Sequence, residues 1–121
     1  MERTNCILLG APVQDGTGRL GCDMGPSAFR AAGIGEALRS LGHGVLDRGN
    51  VAPAPLRPLS HPNPAIHALP EIVAWTEVLS QAVYDAGTEG MPIVLGGDHS
   101  LAAGTLAGHA RLAQERGRIE R

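Results

Sequence analysis

The chain has 121 residues, and 10 basic against 12 acidic side chains give it a formal charge of −2 at pH 7. This balance excludes a general electrostatic attraction to nucleic acid or to anionic membranes. With 43% hydrophobic and 18% charged residues, the chain is too apolar for a disordered segment and long enough to bury one core. Its apolar runs are too short to span a bilayer, and no signal-peptide core follows the first charged residues. We therefore expect a soluble, cytoplasmic protein with no nucleic-acid or membrane partner.

Three short, continuously apolar runs alternate with longer amphipathic segments along the chain. Such runs are typical of strands covered on both faces of a parallel sheet, whereas apolar residues at three- and four-residue spacing predict helices. Gly33 and Gly35 leave open whether the first helical segment is one helix or two short ones. The predicted order is strand 6–9, helix 27–41, strand 44–47, helix from 70 to about 87, strand 91–95 and helix from 101 to about 116.

The segment from 52 to 64 interrupts this alternation. It holds five prolines, which exclude a helix or a central strand and predict a surface crossover. The alternation itself predicts an α/β sandwich with parallel strands and right-handed crossovers. Three strands that are apolar on both faces leave an edge that must be covered, and the chain ends where a fourth strand would begin. We therefore expect part of a larger sheet.

The loop after the first predicted strand carries a glycine pattern. The segment Gly16-Thr-Gly-Arg-Leu-Gly21 matches the dinucleotide-binding pattern G-x-G-x-x-G, and Asp47 stands where a ribose-binding acid would be. The fit is poor, because the first glycine should turn the chain directly off the strand, whereas residues 11–15 intervene. The favoured alternative for the loop is a flexible segment over a site, in which Arg19 is solvated or contacts an anionic substrate group. For Asp47 it is a strand-end residue that makes a local turn or an ion pair with Arg48.

A sharper signal is Gly96-Gly-Asp-His-Ser100, which follows the third predicted strand. Two glycines allow tight backbone packing where a carboxylate and an imidazole stand beside a helix N-terminus. Since neighbours in an extended turn point apart, we assign His99 to metal ligation and Asp98 to holding the loop or orienting the ligand. From spacing alone, a buried and hydrogen-bonded histidine is the favoured alternative, because one ligand does not make a site and His109 lies too far along the helix. The remaining histidines are expected in solvent: His43, His61 and His67.

Two possible nucleophiles receive no catalytic role. Ser100 lacks the G-x-S-x-G elbow and is assigned as a helix cap instead. Cys22 has no base that the sequence can place beside it. Cys6 and Cys22 are not in a Cys-x-x-Cys arrangement, so we expect both to be reduced and buried.

Three segments together resemble the N-terminal part of the arginase family of manganese ureohydrolases. They are Leu8-Leu-Gly-Ala-Pro12, Gly21-Cys-Asp-Met-Gly-Pro-Ser-Ala-Phe-Arg30 and Leu95-Gly-Gly-Asp-His-Ser-Leu-Ala102. The resemblance spans essentially the whole chain. It implies a three-layer α/β sandwich with a parallel sheet, of which residues 1–121 would be the N-terminal part of a single domain.

The resemblance also implies a chemistry. In that family two Mn²⁺ ions are bridged by a hydroxide, which attacks the guanidinium carbon of L-arginine to give urea and L-ornithine. The histidine of Gly-Gly-Asp-His is a ligand to one manganese and maps onto His99. Two ions lower the pKa of a shared water, and mixed carboxylate and imidazole ligands suit Mn²⁺. Complete members are expected to form homotrimers or homohexamers.

The chain also departs from the family pattern. The Asp-Ala-His-x-Asp and later Asp-x-Asp motifs, which carry most of the family's metal ligands, are absent, as are its catalytic histidine and substrate-contacting residues. We therefore assign no catalytic residue, leave the substrate-binding residues unknown and expect no arginine hydrolysis by these residues alone. The alternatives are a non-catalytic truncated product, a split subunit completed by a second chain, another ureohydrolase such as an agmatinase and, less favoured, a dinucleotide-binding module.

Overall fold

The computed structural model describes residues 2–117. Its elements are β1 (Asn5–Ala11), a 3-10 turn (Cys22–Met24), α1 (Gly25–Ala31), α2 (Ile34–Ser40), β2 (Gly44–Asn50), α3 (Leu69–Glu89), β3 (Met91–Gly96) and α4 (Leu101–Glu115). The predicted alternation of strands and helices is confirmed. Each strand continues past its predicted carboxyl end, because backbone pairing persists after the apolar side chains stop, as in the pair Gly10 with Asn50.

The three strands form one parallel sheet in the order β2-β1-β3. β1 is central, and its Cys6 lies between Val45 of β2 and Met91 of β3. Since both its edges are paired and both its faces are covered, β1 is buried from Cys6 through Ala11. Parallel strands bring their carboxyl ends to one edge of the sheet, so the loops after residues 11, 50 and 96 meet there.

The segment predicted as one helix or two is two helices. α1 ends at Ala31, and Gly33 has φ 91, a left-handed conformation that reverses the chain before α2 begins at Ile34. Glycine adopts this conformation without the steric cost that a β-carbon imposes. The break between the two helices therefore lies at Gly33 and not at Gly35.

Helices cover both faces of the sheet. Alternate residues of β1 point to opposite faces, so Ile7 and Leu9 join a core with side chains of α3, while Leu8 lines a cleft with α1 and α2. The core members are Ile7, Leu9, Ala11, Val13, Trp75, Leu79, Val83 and Ala86. The result is the predicted three-layer arrangement.

Small residues let α3 and α4 pack closely in place of the missing aromatic side chains. A β-carbon on Gly108 of α4 would lie 2.6 Å from the Ser80 carbonyl oxygen and 2.8 Å from the Val83 β-carbon of α3. The Pro-rich crossover, residues 52–64, forms no helix or strand and is largely exposed between β2 and α3. Within residues 2–117, none of the helices combines the length and apolar composition that crossing a bilayer requires.

Candidate functional site

The turn between β3 and α4 packs backbone to backbone against the segment that follows β1. The Gly96–Gly97 peptide bond is cis, and Gly97 has φ 88. A β-carbon on Gly97 would lie 2.5 Å from the Ala11 carbonyl oxygen and 2.7 Å from the Val13 nitrogen. The Asp98 N–H donates to the Val13 carbonyl oxygen over 2.8 Å. The two glycines of the sequence signal thus serve this close approach.

The Asp98 carboxylate joins the two segments. Its Oδ2 accepts hydrogen bonds from the backbone N–H groups of Gly16 and Thr17, each over 3.0 Å. Its Oδ1 accepts from the Ser100 N–H over 2.9 Å and from the Ser100 hydroxyl. Burial raises the pKa of Asp98, but the donors on Ser100, Thr17 and Gly16 outweigh it and hold the pKa below its ordinary value. The carboxylate is therefore ionised, and both of its oxygens bind groups within the protein.

Ser100 occupies the N-cap position of α4, as predicted, but its side chain does not cap the helix. Ser100 has helical backbone angles, φ −62 and ψ −20, and its side chain forms no cap hydrogen bond. Its hydroxyl donates to the Asp98 carboxylate, which is a stronger acceptor than a neutral carbonyl. The first N–H groups of α4 instead donate to the backbone carbonyl oxygens of Asp98, His99 and Ser100.

His99 lies at the carboxyl edge of the sheet with its side chain exposed. Its ring forms no hydrogen bond within residues 2–117, so the alternative of a buried, satisfied histidine does not hold. An exposed neutral imidazole can serve as one ligand to a transition-metal ion. Among the described residues, however, no group of three or more His, Cys, Asp or Glu side chains is placed to hold a metal ion. His99 thus fits as one ligand of a metal centre, but residues 2–117 do not supply enough ligands to hold a binuclear centre by themselves.

The other histidines do not join His99. His109 lines a cleft at the opposite edge of the sheet, beside the first residue of β3. His43 is partly buried and not simply solvated as predicted, because its Nδ1 accepts the Thr4 N–H over 3.1 Å. His61 lies in the crossover, where its Nδ1 accepts the Asn63 N–H. His67 lies between the crossover and α3, and its Nε2 is 3.4 Å from the Gly16 carbonyl oxygen.

The glycine pattern of residues 16–21 does not form a dinucleotide-binding turn. β1 ends at Ala11, four residues intervene before Gly16, and α1 begins only at Gly25. The pattern therefore lies wholly in a loop, away from the strand end and the helix start that a pyrophosphate requires. Its first two residues bind Asp98, while Arg19 is exposed. The two cysteines are free thiols, Cys6 buried and Cys22 partly buried.

Asp47 makes the predicted local turn, because its Oδ1 accepts the Gly49 N–H over 2.8 Å. The alternative of an ion pair with Arg48 is wrong, because Asp47 pairs with Arg30. The Arg30 Nε lies 2.8 Å from Oδ2 of Asp47, and Nη2 lies 3.0 Å from Oδ1. Successive side chains of a strand point to opposite faces, so Arg48 turns away from α1 and pairs with Glu89 at the end of α3. The hydrogen bonds from Arg30 are the main reason that the pKa of Asp47 is lowered.

Sequence reasoning missed two side chains that hold this edge together. One is Arg30, whose place at the end of Gly25-Pro-Ser-Ala-Phe-Arg30 was noted only as part of the resemblance. The other is Trp75, whose indole Nε1 donates to the Asp15 carboxylate over 2.9 Å. Trp75 is the single tryptophan of the chain and lies on the apolar face of a predicted helix, so the sequence indicated that it belongs to the core. Nothing in the sequence indicated its hydrogen-bond partner Asp15.

The chain is similar in sequence and in structure to known arginases. The profile of the arginase family matches residues 4–119. An arginase of Brucella melitensis biotype 1 is 61% identical over 114 residues, which cover 94% of this chain and 37% of that protein. An arginase of Agrobacterium fabrum is 46% identical over 118 residues, which cover 97% and 36%. The native arginase structure from Bacillus caldovelox superposes with a TM-score of 0.74 at 37% identity, covering 89% of this chain and 37% of that one. The chain therefore spans well under half the length of these relatives and matches their N-terminal part.

Proposed function

The chain belongs to the arginase family, and we propose that it supplies the His99-bearing edge of a site that hydrolyses L-arginine to L-ornithine and urea. One observation carries the proposal: an exposed imidazole stands at the carboxyl edge of a parallel sheet, on a turn held by Asp98. In open α/β sheets this edge is where ligands bind. The arginine substrate comes from the chain's 61% identity to a protein named as an arginase.

The metal of the proposed site is manganese, with His99 binding one of two ions through a ring nitrogen. Bound Mn²⁺ lowers the pKa of a coordinated water and so supplies a nucleophile for the guanidinium carbon at neutral pH. Asp98 leaves no oxygen free of protein donors, so its proposed role is to orient the turn and not to bind the ion. Outer residues of this kind fix ligand geometry, and their loss commonly lowers metal affinity or activity between about 10- and 100-fold.

The described residues supply a single candidate ligand, so we expect the 121-residue chain alone to bind Mn²⁺ weakly and to release no urea. The same observation favours a second candidate function, in which the chain is a subunit or product that contributes to a site without catalysing the reaction alone. Homotrimeric or homohexameric assembly and a cytoplasmic location stay predictions. Light scattering after size-exclusion chromatography tests the first of these.

A chimera tests the proposed arginase function. In the arginase of Brucella melitensis, the matched N-terminal part is replaced by residues 4–117 of this chain, and urea and ornithine are measured with Mn²⁺ present. We expect equal amounts of both products, their loss in the His99→Ala chimera and their retention in the matched His109→Ala chimera. A chimera that folds and assembles like the parent but forms no urea would contradict the arginase function. Urea release by the 121-residue chain alone would contradict the requirement for further ligands.

A further inference from the structure

Trp75 has a polar contact that joins the core to a loop outside it. The side chain is only 8% exposed and packs in the core with Leu79 and Val83. A buried indole N–H needs an acceptor. Here the acceptor comes from outside the core, because the Trp75 Nε1 donates over 2.9 Å to the carboxylate of Asp15, an exposed residue in the loop after β1.

The neighbours of Asp15 bind the turn that carries His99. On one side, the Val13 carbonyl oxygen accepts the Asp98 N–H over 2.8 Å. On the other side, the N–H groups of Gly16 and Thr17 donate to the Asp98 carboxylate, each over 3.0 Å. We call residues 13–17 the clasp segment. The clasp segment is hydrogen-bonded to α3 through the Asp15 side chain. It is hydrogen-bonded to the turn through three backbone groups on either side of Asp15, the Val13 carbonyl and the N–H groups of Gly16 and Thr17.

We propose that Trp75 is a positioning residue for the turn that carries His99, acting through Asp15 and the clasp segment; the consequence for metal binding rests on the proposed function. The Val13 side chain packs in the core with α3 and anchors the start of the clasp segment. Without the bond from Trp75, residues 15–17 continue into an exposed, glycine-containing loop, and their remaining contact toward α3 among the described residues is the one between the His67 Nε2 and the Gly16 carbonyl oxygen at 3.4 Å. The N–H groups of Gly16 and Thr17 would then leave the Asp98 carboxylate more often. The turn would lose donors on that side and hold the His99 ring less closely.

Variants of Asp15 separate this role from the packing of the indole ring. Asp15→Ala removes the acceptor and leaves the core untouched, because Asp15 is exposed. Asp15→Asn keeps a side-chain oxygen that accepts the same N–H and therefore serves as the matched control. Trp75→Phe removes the donor and keeps an aromatic ring. Since Trp75 is the only tryptophan, its emission reports directly on the contact.

The 121-residue chain allows three measurements on the wild type and these variants. The first is Trp75 emission, which we expect to shift in Asp15→Ala and to return in Asp15→Asn. The second is tryptic cleavage after Arg19, in the loop that continues the clasp segment, relative to cleavage after Arg39 in α2. We expect it to be about tenfold faster in Asp15→Ala and Trp75→Phe, the factor that corresponds to one hydrogen bond to a charged group. The third is the position of the His99 ring proton resonance, with that of His109 as the reference.

We expect the His99 resonance to move in Asp15→Ala and to return in Asp15→Asn, while the His109 resonance stays in place. Unchanged cleavage and an unchanged His99 resonance in Asp15→Ala would overturn the positioning role. Adding Mn²⁺ distinguishes its failure from that of the proposed function. If His99 responds to Asp15 but is not broadened by Mn²⁺, the positioning role stands and the metal role falls. If Mn²⁺ broadens the His99 signal equally in wild type and Asp15→Ala, and no other readout changes, the positioning role falls and the metal role stands.

Discussion

Arg30 of α1 and Asp47 of β2 form a two-point ion pair, with Nε to Oδ2 at 2.8 Å and Nη2 to Oδ1 at 3.0 Å. At its other end, α1 begins at Gly25, where a β-carbon would lie 1.9 Å from the Gly96 carbonyl oxygen of β3. Seven helical residues rise about 10 Å, which matches two strand spacings of about 4.8 Å. α1 therefore spans the carboxyl edge of the sheet from β3 to β2, and the ion pair holds its far end.

Replacing Arg30 with Lys tests the geometry of this pair. Arg30→Lys keeps the charge but loses the two-point contact, because an ammonium group cannot present two parallel donors. The side chains are 26% and 36% exposed, so solvent screens the interaction, and we expect a loss of about 1 kcal/mol in the free energy of unfolding. Urea unfolding at pH 7 measures it. Arg39→Lys, in the more exposed pair with Glu36, is the matched control and should change little; equal losses would contradict the two-point contact.

The pH dependence of this pair has a definite sign. The pKa of Asp47 is lowered from 3.8, chiefly by the hydrogen bonds from Arg30. A lowered folded-state pKa means that the carboxylate stabilises the fold fully above its unfolded-state pKa, and that this contribution disappears as pH falls through the folded-state value. The stability difference between wild type and Asp47→Asn should stay constant above about pH 5 and shrink below about pH 4. A difference that grows on acidification would contradict this assignment.

How much of the fold could be predicted depended on the range of the interactions involved. Buried strands and the long helix α3 leave a period in the chain itself, so their existence was predictable from residues 6–9 or from the apolar face of residues 70–87. The ion-pair partner of Asp47 was not predictable, because the identity of the partner depends on which face of β2 the Asp47 side chain occupies. Arg48 is adjacent in the chain but lies on the other face, while Arg30 arrives from a helix 17 residues away.

The same distinction applies to the site. Gly-Gly-Asp-His is a local signal, and it placed His99 at a loop beyond a strand without any knowledge of the fold. The donors to Asp98 Oδ2 come from Gly16 and Thr17, more than 80 residues earlier in the chain, and they become its neighbours only when β1 pairs with β3. No spacing rule connects such positions, so the contact between Trp75 and Asp15 was equally hidden.

Asp98→Asn should destabilise the chain although it is nearly isosteric. An asparagine amide has one oxygen acceptor and one NH₂ donor in place of two acceptor oxygens. In either orientation the NH₂ group would face N–H donors, those of Gly16 and Thr17 or that of Ser100, and those hydrogen bonds would be lost. We expect a loss of between about 1 and 3 kcal/mol in the free energy of unfolding. Asp85→Asn is the control, because the Asp85 carboxylate accepts an exposed hydrogen bond from the Gln81 side chain, and the substitution should cost less than about 0.5 kcal/mol. Equal effects of the two substitutions would show that the contacts of Asp98 contribute little.

Two helical glycines should respond to alanine in opposite directions. At Gly25 the new β-carbon would collide with the Gly96 backbone at 1.9 Å, so Gly25→Ala must displace the start of α1 and should cost about 1–3 kcal/mol or more. At Gly35 in α2 the nearest atom is the flexible Arg39 Nη1 at 3.4 Å, and alanine favours the helix by up to about 1 kcal/mol. Thermal unfolding of both variants measures the contrast. A stable Gly25→Ala protein would mean that α1 does not contact β3 as closely as described.

His99 and His43 should differ in what their removal costs. The His99 ring is exposed and forms no hydrogen bond within residues 2–117, so His99→Ala should change the free energy of unfolding by less than about 0.5 kcal/mol. The His43 ring is partly buried and accepts the Thr4 N–H at the start of β1, so His43→Ala should cost about 1 kcal/mol. Urea unfolding of the metal-free chain measures both. A ring that contributes nothing to stability yet stands at the ligand-binding edge is free to bind a ligand. A large loss of stability in His99→Ala would instead make His99 a structural residue and remove the physical basis for its metal role.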